Sequence, residues 1–342
     1  MAEILGVSVR KNLLIGGNFS TNPWQKGTSF SLITASNWYA DRWLVARDYG
    51  IYQFTVTKEA ISPANSVSGA SHCLRYTRPV GGAESGVFFV VSQNIEQKDT
   101  IAAIGKYVTF SCWAKCGSAW YTEVGTKALS MVIDYSTNGT ESQSVTAFGT
   151  TASTLSAGWN FIASQNITMS DTEWRFFSLT AKVPTNATQL AVRFTGRPGI
   201  GAPTGVVNEY FEIAQCQLEV GQQPSSFESI SAADVLRLCK RYYYQNTRGG
   251  VKGIGISSST MMIHGEHPVE MRSTPSASLV SGGDYTFVDG TTAYIPTAPA
   301  LSGTEIDSKG FRDFQINGFS GLTAYRPYTI AKSNVLQFSA EI

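Results

Sequence analysis

An all-β chain of two domains is what this sequence predicts, and three observations carry the expectation. Apolar and polar residues alternate with period two from end to end. Charged residues make up 15% of the chain, below the ~25% usual for soluble domains, and Ser, Thr, Asn, Gln and Gly supply the remaining polarity. Turn clusters punctuate the alternation at Gly81-Gly82, Asn138-Gly139, Ala157-Gly158 and Pro198-Gly199-Ile200-Gly201. Such a mixture suits strands and turns and is poor for long helices. The 342 residues exceed one ordinary sandwich and fit two domains, and 42% hydrophobic residues suffice for real cores.

The clearest strands come in order. In Tyr107–Lys115, Val108, Phe110, Cys112 and Ala114 share one face, with Tyr107, Thr109, Ser111 and Trp113 on the other. Trp174–Ala181 (WRFFSLTA) is aromatic on both faces, the pattern of a strand buried on both sides. Leu190–Phe194 turns Leu190, Val192 and Phe194 inward and Arg193 outward, and Tyr210–Leu218 reads as a further strand. The pattern then breaks at Ser231–Tyr244. Ser231 is placed to cap a helix, with Asp234 three residues on, and Val235, Leu238, Cys239 and Tyr242 follow at helical spacing. Lys240 and Arg241 stand where the helix dipole favours cations. After it Met261–His264, Ser276–Val280, Tyr285–Val288, Phe311–Ile316 and Val335–Ala340 are strands again. No tandem repeat and no β-helix repeat is visible.

Several function classes find no support. A net charge of +1 without a basic cluster gives nothing to steer nucleic acid or an anionic membrane surface. No run approaches the ~20 apolar residues of a membrane helix, and the start has no secretory pattern. The five cysteines, Cys73, Cys112, Cys116, Cys216 and Cys239, read as buried thiols made in a reducing cytoplasm. Cys112 and Cys116 lack the second pair a zinc site needs. Only His72, His264 and His267 exist to serve a catalytic triad. His264–His267 (HGEH) reads as a solvated turn rather than the helical zinc motif. Catalytic residues, metal ligands and cofactors are therefore expected to be none, with a structural calcium on Asn18 or Asp41 as the one exception considered. Paired carboxylates for glycoside hydrolysis pair in space and stay open.

Aromatic residues give the binding candidates, because sugars lay their C–H faces on aromatic rings while amides and charges meet their hydroxyls. Trp24, Trp38, Tyr39 and Trp43 fall within twenty residues, among Asn22, Gln25, Asn37, Asp41 and Arg42. Trp43 is expected to pack inward. Trp24, Trp38 and Tyr39 are the glycan-contact candidates there, and Trp120 and Tyr121, beyond a Gly-Ser turn, are the others.

At this point the residues resemble a known family. NLLIGGNFSTNPWQKGTSF from Asn12, ADRW at Ala40–Trp43, LRYT at Leu74–Thr77, SQNIE at Ser92–Glu96 and GKYVTFSCWAK at Gly105–Lys115 follow in order. GW at Gly158–Trp159, LAVRF at Leu190–Phe194, FEIAQCQLEVGQQPSSFE at Phe211–Glu228, CKRYYYQ at Cys239–Gln245 and PVEMRSTPS at Pro268–Ser276 continue the series. Together they resemble the carbohydrate-binding-type jelly roll of phage tail fibre and other virion proteins. The resemblance implies a galactose-binding-like sandwich, then a short helix and a smaller C-terminal β domain. It also implies virion location and homotrimeric assembly.

The expected domains are 1–11 as an attachment segment, 12–228 as the jelly roll, 229–245 as the linker helix and 246–342 as the C-terminal β domain. The expected function is that of a non-enzymatic tail fibre or similar appendage, made in the host cytoplasm, contacting other virion proteins and host surface polysaccharide. A polysaccharide-degrading tailspike and a purely architectural connector are the alternatives.

Overall fold

A computed structural model describes residues 10–33, 37–47, 54–62, 67, 69–78, 89–118, 128–148, 153–169, 171–197, 209–246, 250–280, 285–290, 292–303, 305–332 and 335–342. The chain divides into two compact units, Met1–Val235 with Ile342, and Leu236–Glu341. Residues 1–9 of the expected attachment segment lie outside the described residues.

The first unit is a jelly-roll sandwich of two antiparallel six-stranded sheets. One sheet runs β1 (Ser29–Ile33), β4 (Phe54–Ala60), β5 (His72–Arg78), β14 (Glu209–Val220), β7 (Tyr107–Cys116), β12 (Arg175–Lys182). The other runs β11 (Trp159–Ile167), β8 (Ala128–Ser136), β13 (Gln189–Arg197), β6 (Phe89–Ile95), β3 (Trp43–Arg47), β2 (Asn37–Ala40). The alternation in β7 holds as read: Val108, Phe110, Cys112 and Ala114 enter the core. Phe54, Tyr76, Phe89 and Phe211 stack with centroids 4.5–5.4 Å apart and join the two sheets, since Phe89 belongs to the second. All five cysteines are free and buried.

Strand β14 is buried almost throughout and changes phase midway. Phe211 and Ile213 face the core before a bulge, Cys216 and Leu218 after it. The extra residue is Gln215, at φ +49. The N-terminal segment fastens this irregular point. Asn12 Oδ1 accepts the N–H groups of Leu14 and Leu218, and its Nδ2 donates to the Cys216 carbonyl. Gly17 lies so close that a Cβ there would sit 2.1 Å from the Cys216 oxygen, so no other residue fits.

Two strands carry more than their alternation shows. WRFFSLTA is not buried on both sides: β12 is an edge strand, and Phe176 is 44% exposed on its outer face. Arg193 does leave the core face, but it is buried there. Its guanidinium meets the fully buried Asp134 carboxylate at 2.6 Å. Burial pushes the Asp134 carboxyl up, and the Arg193 hydrogen bond opposes it.

The helix is shorter than the sequence spacing suggests. It spans Ala232–Lys240 (α1), with Ser231 Oγ accepting the Asp234 N–H and donating to its carboxylate. Tyr243–Gln245 instead forms β15, paired with Ser339, Phe338 and Gln337. Tyr243 and Tyr244 are buried by that pairing, which outweighs their continuation of the helical period.

The second unit holds a three-stranded sheet, β15 with β24 (Leu336–Ser339) and β18 (Ser276–Leu279). Its seven-stranded sheet runs β20 (Ala293–Tyr294), β19 (Phe287–Val288), β23 (Pro327–Ile330), β16 (Lys252–Gly255), β17 (Thr260–Glu266), β22 (Gly310–Asn317), β21 (Ala300–Ser302). HGEH is not a solvated turn. His264, Gly265 and Glu266 close β17, and His267 is buried against Tyr244, Phe311 and Phe338. Its Nε2 pairs with the Asp307 carbonyl at 3.0 Å and its Nδ1 with the Tyr244 hydroxyl at 2.6 Å. Both ring nitrogens are satisfied in the neutral imidazole.

His267 and the Arg193–Asp134 pair each make stability depend on a buried polar group. Burial holds the His267 pKa below its ordinary 6.5. Above that pH both folded and unfolded chains keep it neutral; below it the unfolded chain takes the proton first, so stability falls. Urea midpoints for the second unit should drop between pH 7 and pH 5, and less so in His267→Phe. Arg193→Met should cost about 3–5 kcal/mol by leaving Asp134 buried without its cation, and Arg193→Met/Asp134→Leu should recover most of it in chemical denaturation.

Candidate glycan-binding face

The solvent-facing side of the first sheet is built by strand register. Glu212 of β14 stands between Arg75 of β5 and Lys115 of β7. Its Oε1 accepts from Arg75 Nε at 2.8 Å and Nη2 at 2.5 Å, and its Oε2 lies 3.8 Å from Lys115 Nζ. Glu59 of β4 adds a second carboxylate 3.8 Å from Arg75. Two residues along the same face, Ala214, Trp113 and Phe176 stand side by side. The Trp113 and Phe176 rings meet edge-on with centroids 5.6 Å apart. Two further rings frame the row. Arg75 lies 4.3 Å over the Tyr210 ring, and Lys115 Nζ lies 6.0 Å from the Trp174 centroid.

The polar groups are held in place before any ligand arrives. Glu212 is buried and its Oε1 takes two hydrogen bonds from Arg75, which fixes the guanidinium, while Lys115 Nζ stays at ion-pair distance. Burial and the nearby Glu212 carboxylate push the Tyr210 hydroxyl up, keeping it a neutral donor and acceptor. Gly117 admits the Tyr210 ring, which a Cβ there would meet at 2.5 Å. The lower part of the same face is closed. Residues 221–228 fold back over it: Thr109 Oγ1 donates to the Gly221 carbonyl, Glu219 accepts from Ser225, and the Glu228 N–H donates to Gln217 Oε1. The open part is thus a row of aromatic rings, Phe176 exposed and Trp113, Trp174 and Tyr210 half-buried, with charged groups along one side.

The residues singled out from the sequence fall differently. Trp24 is 4% exposed, with its indole N–H donating to the Phe19 carbonyl and its ring against Phe19. Tyr39 is 8% exposed and packs on Phe30 and Phe54. Neither offers a face to a sugar: Tyr39 lies on the inward phase of β2, and Asn22 draws the Trp24 loop inward. Asn22 bonds the Gly16 and Asp41 carbonyls and the N–H groups of Trp24 and Asp41. Trp43 is in the core, as expected. Trp38 stays half-buried on β2, with Lys26 Nζ 6.0 Å from its ring and bonded to Asn37. Trp120 and Tyr121 lie outside the described residues.

Asp41 spends its carboxylate on the Gln25 backbone and side chain, and Asn18 Oδ1 accepts the Ser20 N–H, so these oxygens already have protein partners. Among the described residues no group of three or more His, Cys, Asp or Glu could hold a metal ion. No helix among them is long and apolar enough to cross a membrane.

No protein-family model matches the chain, and no curated protein matches it. Solved structures do. One is the enzymatically active domain of tailspike protein 4 of bacteriophage CBA120, at 15% identity and a TM-score of 0.36. That match covers 61% of this chain and 21% of that domain's chain, so the chain spans about a fifth of its length. The C-terminal family 22 carbohydrate-binding module of Clostridium thermocellum Xyn10B is similar at 14% identity and a TM-score of 0.29, covering 54% of this chain and 89% of the module. A CBM4 structure is similar at 13% identity and 0.32, covering 60% and 99%.

Burial separates the two sets of aromatic residues experimentally. Trp24→Ala should cost about 3–5 kcal/mol in denaturant unfolding, as a large core deletion does. Phe176→Ala, on the open face, should change stability by less than about 1 kcal/mol.

Proposed function

We propose that this protein is a non-enzymatic virion appendage subunit, a tail fibre or similar structure, whose jelly roll holds host surface polysaccharide on the platform of Trp113, Phe176, Trp174 and Tyr210. The observation that carries the binding reading is the row of exposed Phe176 and half-buried Trp113, Trp174 and Tyr210 on one outer face beside Arg75, Lys115 and Glu212. Aromatic faces accept the C–H surface of a sugar, and fixed charged groups meet its hydroxyls. The ordered sequence landmarks from Asn12 to Ser276, which resemble phage tail fibre proteins, support the virion setting. Its partners are then other virion proteins, with neither nucleic acid nor membrane insertion involved.

Binding rather than hydrolysis is the reading we favour, because the carboxylates on this face are tied to cations. Arg75 holds both Glu212 and Glu59. A hydrolase needs one carboxyl free to give its proton and another free to act on the sugar or on water. Homotrimeric assembly would suit such a face. Each site binds weakly, and copies held together raise the effective concentration of the next contact.

A polysaccharide panel tests the reading. The intact oligomer should bind at least one bacterial surface polysaccharide without releasing reducing sugar. Trp113→Ala or Phe176→Ala should weaken that binding by about tenfold or more, with folding unchanged. A silent panel or equal binding by both variants would overturn it, and light scattering from a monomer would remove the trimer.

A further inference from the structure

The second unit contains a cleft of about 880 Å³, within the size range of ligand sites. It lies between the end of β17 and the 305–312 hairpin. Its walls are set by the backbone. A bulge between Ile263 and Gly265 breaks the β17–β22 register. Gly310 packs so tightly there that a Cβ would lie 2.7 Å from the Gly265 oxygen. Asp307 Oδ1 accepts the N–H groups of Lys309 and Gly310 and fixes the turn. The His267 N–H donates to the Lys309 carbonyl and ties the two walls together. The shape is therefore present without a ligand.

The side chains inside are of both signs and largely unspent. His264, Glu266, Glu305, Lys309 and Arg312 line the cleft, and none of these five side chains makes a hydrogen bond or ion pair among the described residues. The walls are mostly polar, with Phe311 buried and Ile306 half-buried among the charged side chains. A ligand dense in hydroxyls suits alternating donors and acceptors. Charge narrows the class further: four carboxylates, Glu266, Glu270, Glu305 and Asp307, stand against two cations, Lys309 and Arg312. The acid excess attracts an amine and repels a uronic acid.

We infer that this cleft is a second saccharide site, selective for oligosaccharides that carry free amino groups. It is separate from the aromatic platform of the first unit and does not depend on it.

The test is calorimetric titration of the full-length chain with a glucosamine tetramer, its N-acetylated form and a galacturonic acid tetramer. The amino tetramer should bind about tenfold or more tightly than either comparator and weaken with added salt. Glu266→Gln/Glu305→Gln should weaken it by about tenfold. Both residues are exposed and unpaired, so an unchanged thermal midpoint is expected and confirms that the variant is folded. Trp113→Ala should leave amino-tetramer binding intact. The inference falls if the amino tetramer does not bind, if the acidic tetramer binds better, or if the double variant binds as the parent does. Loss in Trp113→Ala alone would also sink the cleft, while leaving the platform reading standing.

Discussion

The bulge in β14 is the constraint on which the sandwich depends. A strand that crosses the middle of a sheet must keep one face apolar, and β14 does so only by inserting Gln215 and changing phase. Without it, Cys216 and Leu218 would point outward while Gln217 and Glu219 entered the core. Such a bulge leaves backbone groups without ladder partners, and Asn12 and Gly17 supply those partners from the N-terminal segment. The same phase change puts Glu212 on the open face before the bulge and Gln217 and Glu219 beneath residues 221–228 after it. One irregularity thus divides the outer face into a covered half and an open half.

Much of the architecture was legible because period two is a local signal. Strands β7, β13, β14, β17, β22 and β24 lie where alternation puts them, and the Ser231 cap forms its hydrogen bonds. Three kinds of information were not local. Edge position is a property of the sheet, so the two-faced aromatics of β12 read as burial when they mark an open edge. Pairing across strands hid Arg193, whose outward phase was right but whose partner Asp134 lies far along the chain. Loop side chains depend on what the loop is tied to. Trp24 sits among polar residues in the sequence, yet Asn22 folds its loop onto the core, and Tyr39 turns inward from β2 onto Phe30 and Phe54.

The candidate platform was half visible for the same reasons. Alternation puts Trp113 on the face away from the core, and WRFFSLTA carries aromatic residues at both phases. Joining them needs the register that sets Phe176 beside Trp113, which no single strand encodes. Arg75, Glu212 and Lys115 come from three strands distant in sequence and become neighbours only through β14. Ionic residues placed this way lose little further side-chain freedom when they meet another group, since each is held by the next.

The start and finish of the sandwich are stitched to each other. The Glu228 carboxylate accepts the N–H groups of Lys11 and Asn12, and the Lys11 ammonium reaches Ser225, the Ser226 carbonyl and Glu219. A mechanical consequence follows. Tension applied through the two ends of this unit meets the Glu228 stitch before it reaches the strand ladders, because the stitched points are where the load enters. The stitch is a handful of polar contacts near the surface and can open and close again without disturbing the aromatic core. A fold wired this way yields first at its seam, like a zip fastener, and keeps its sheets intact under a pull.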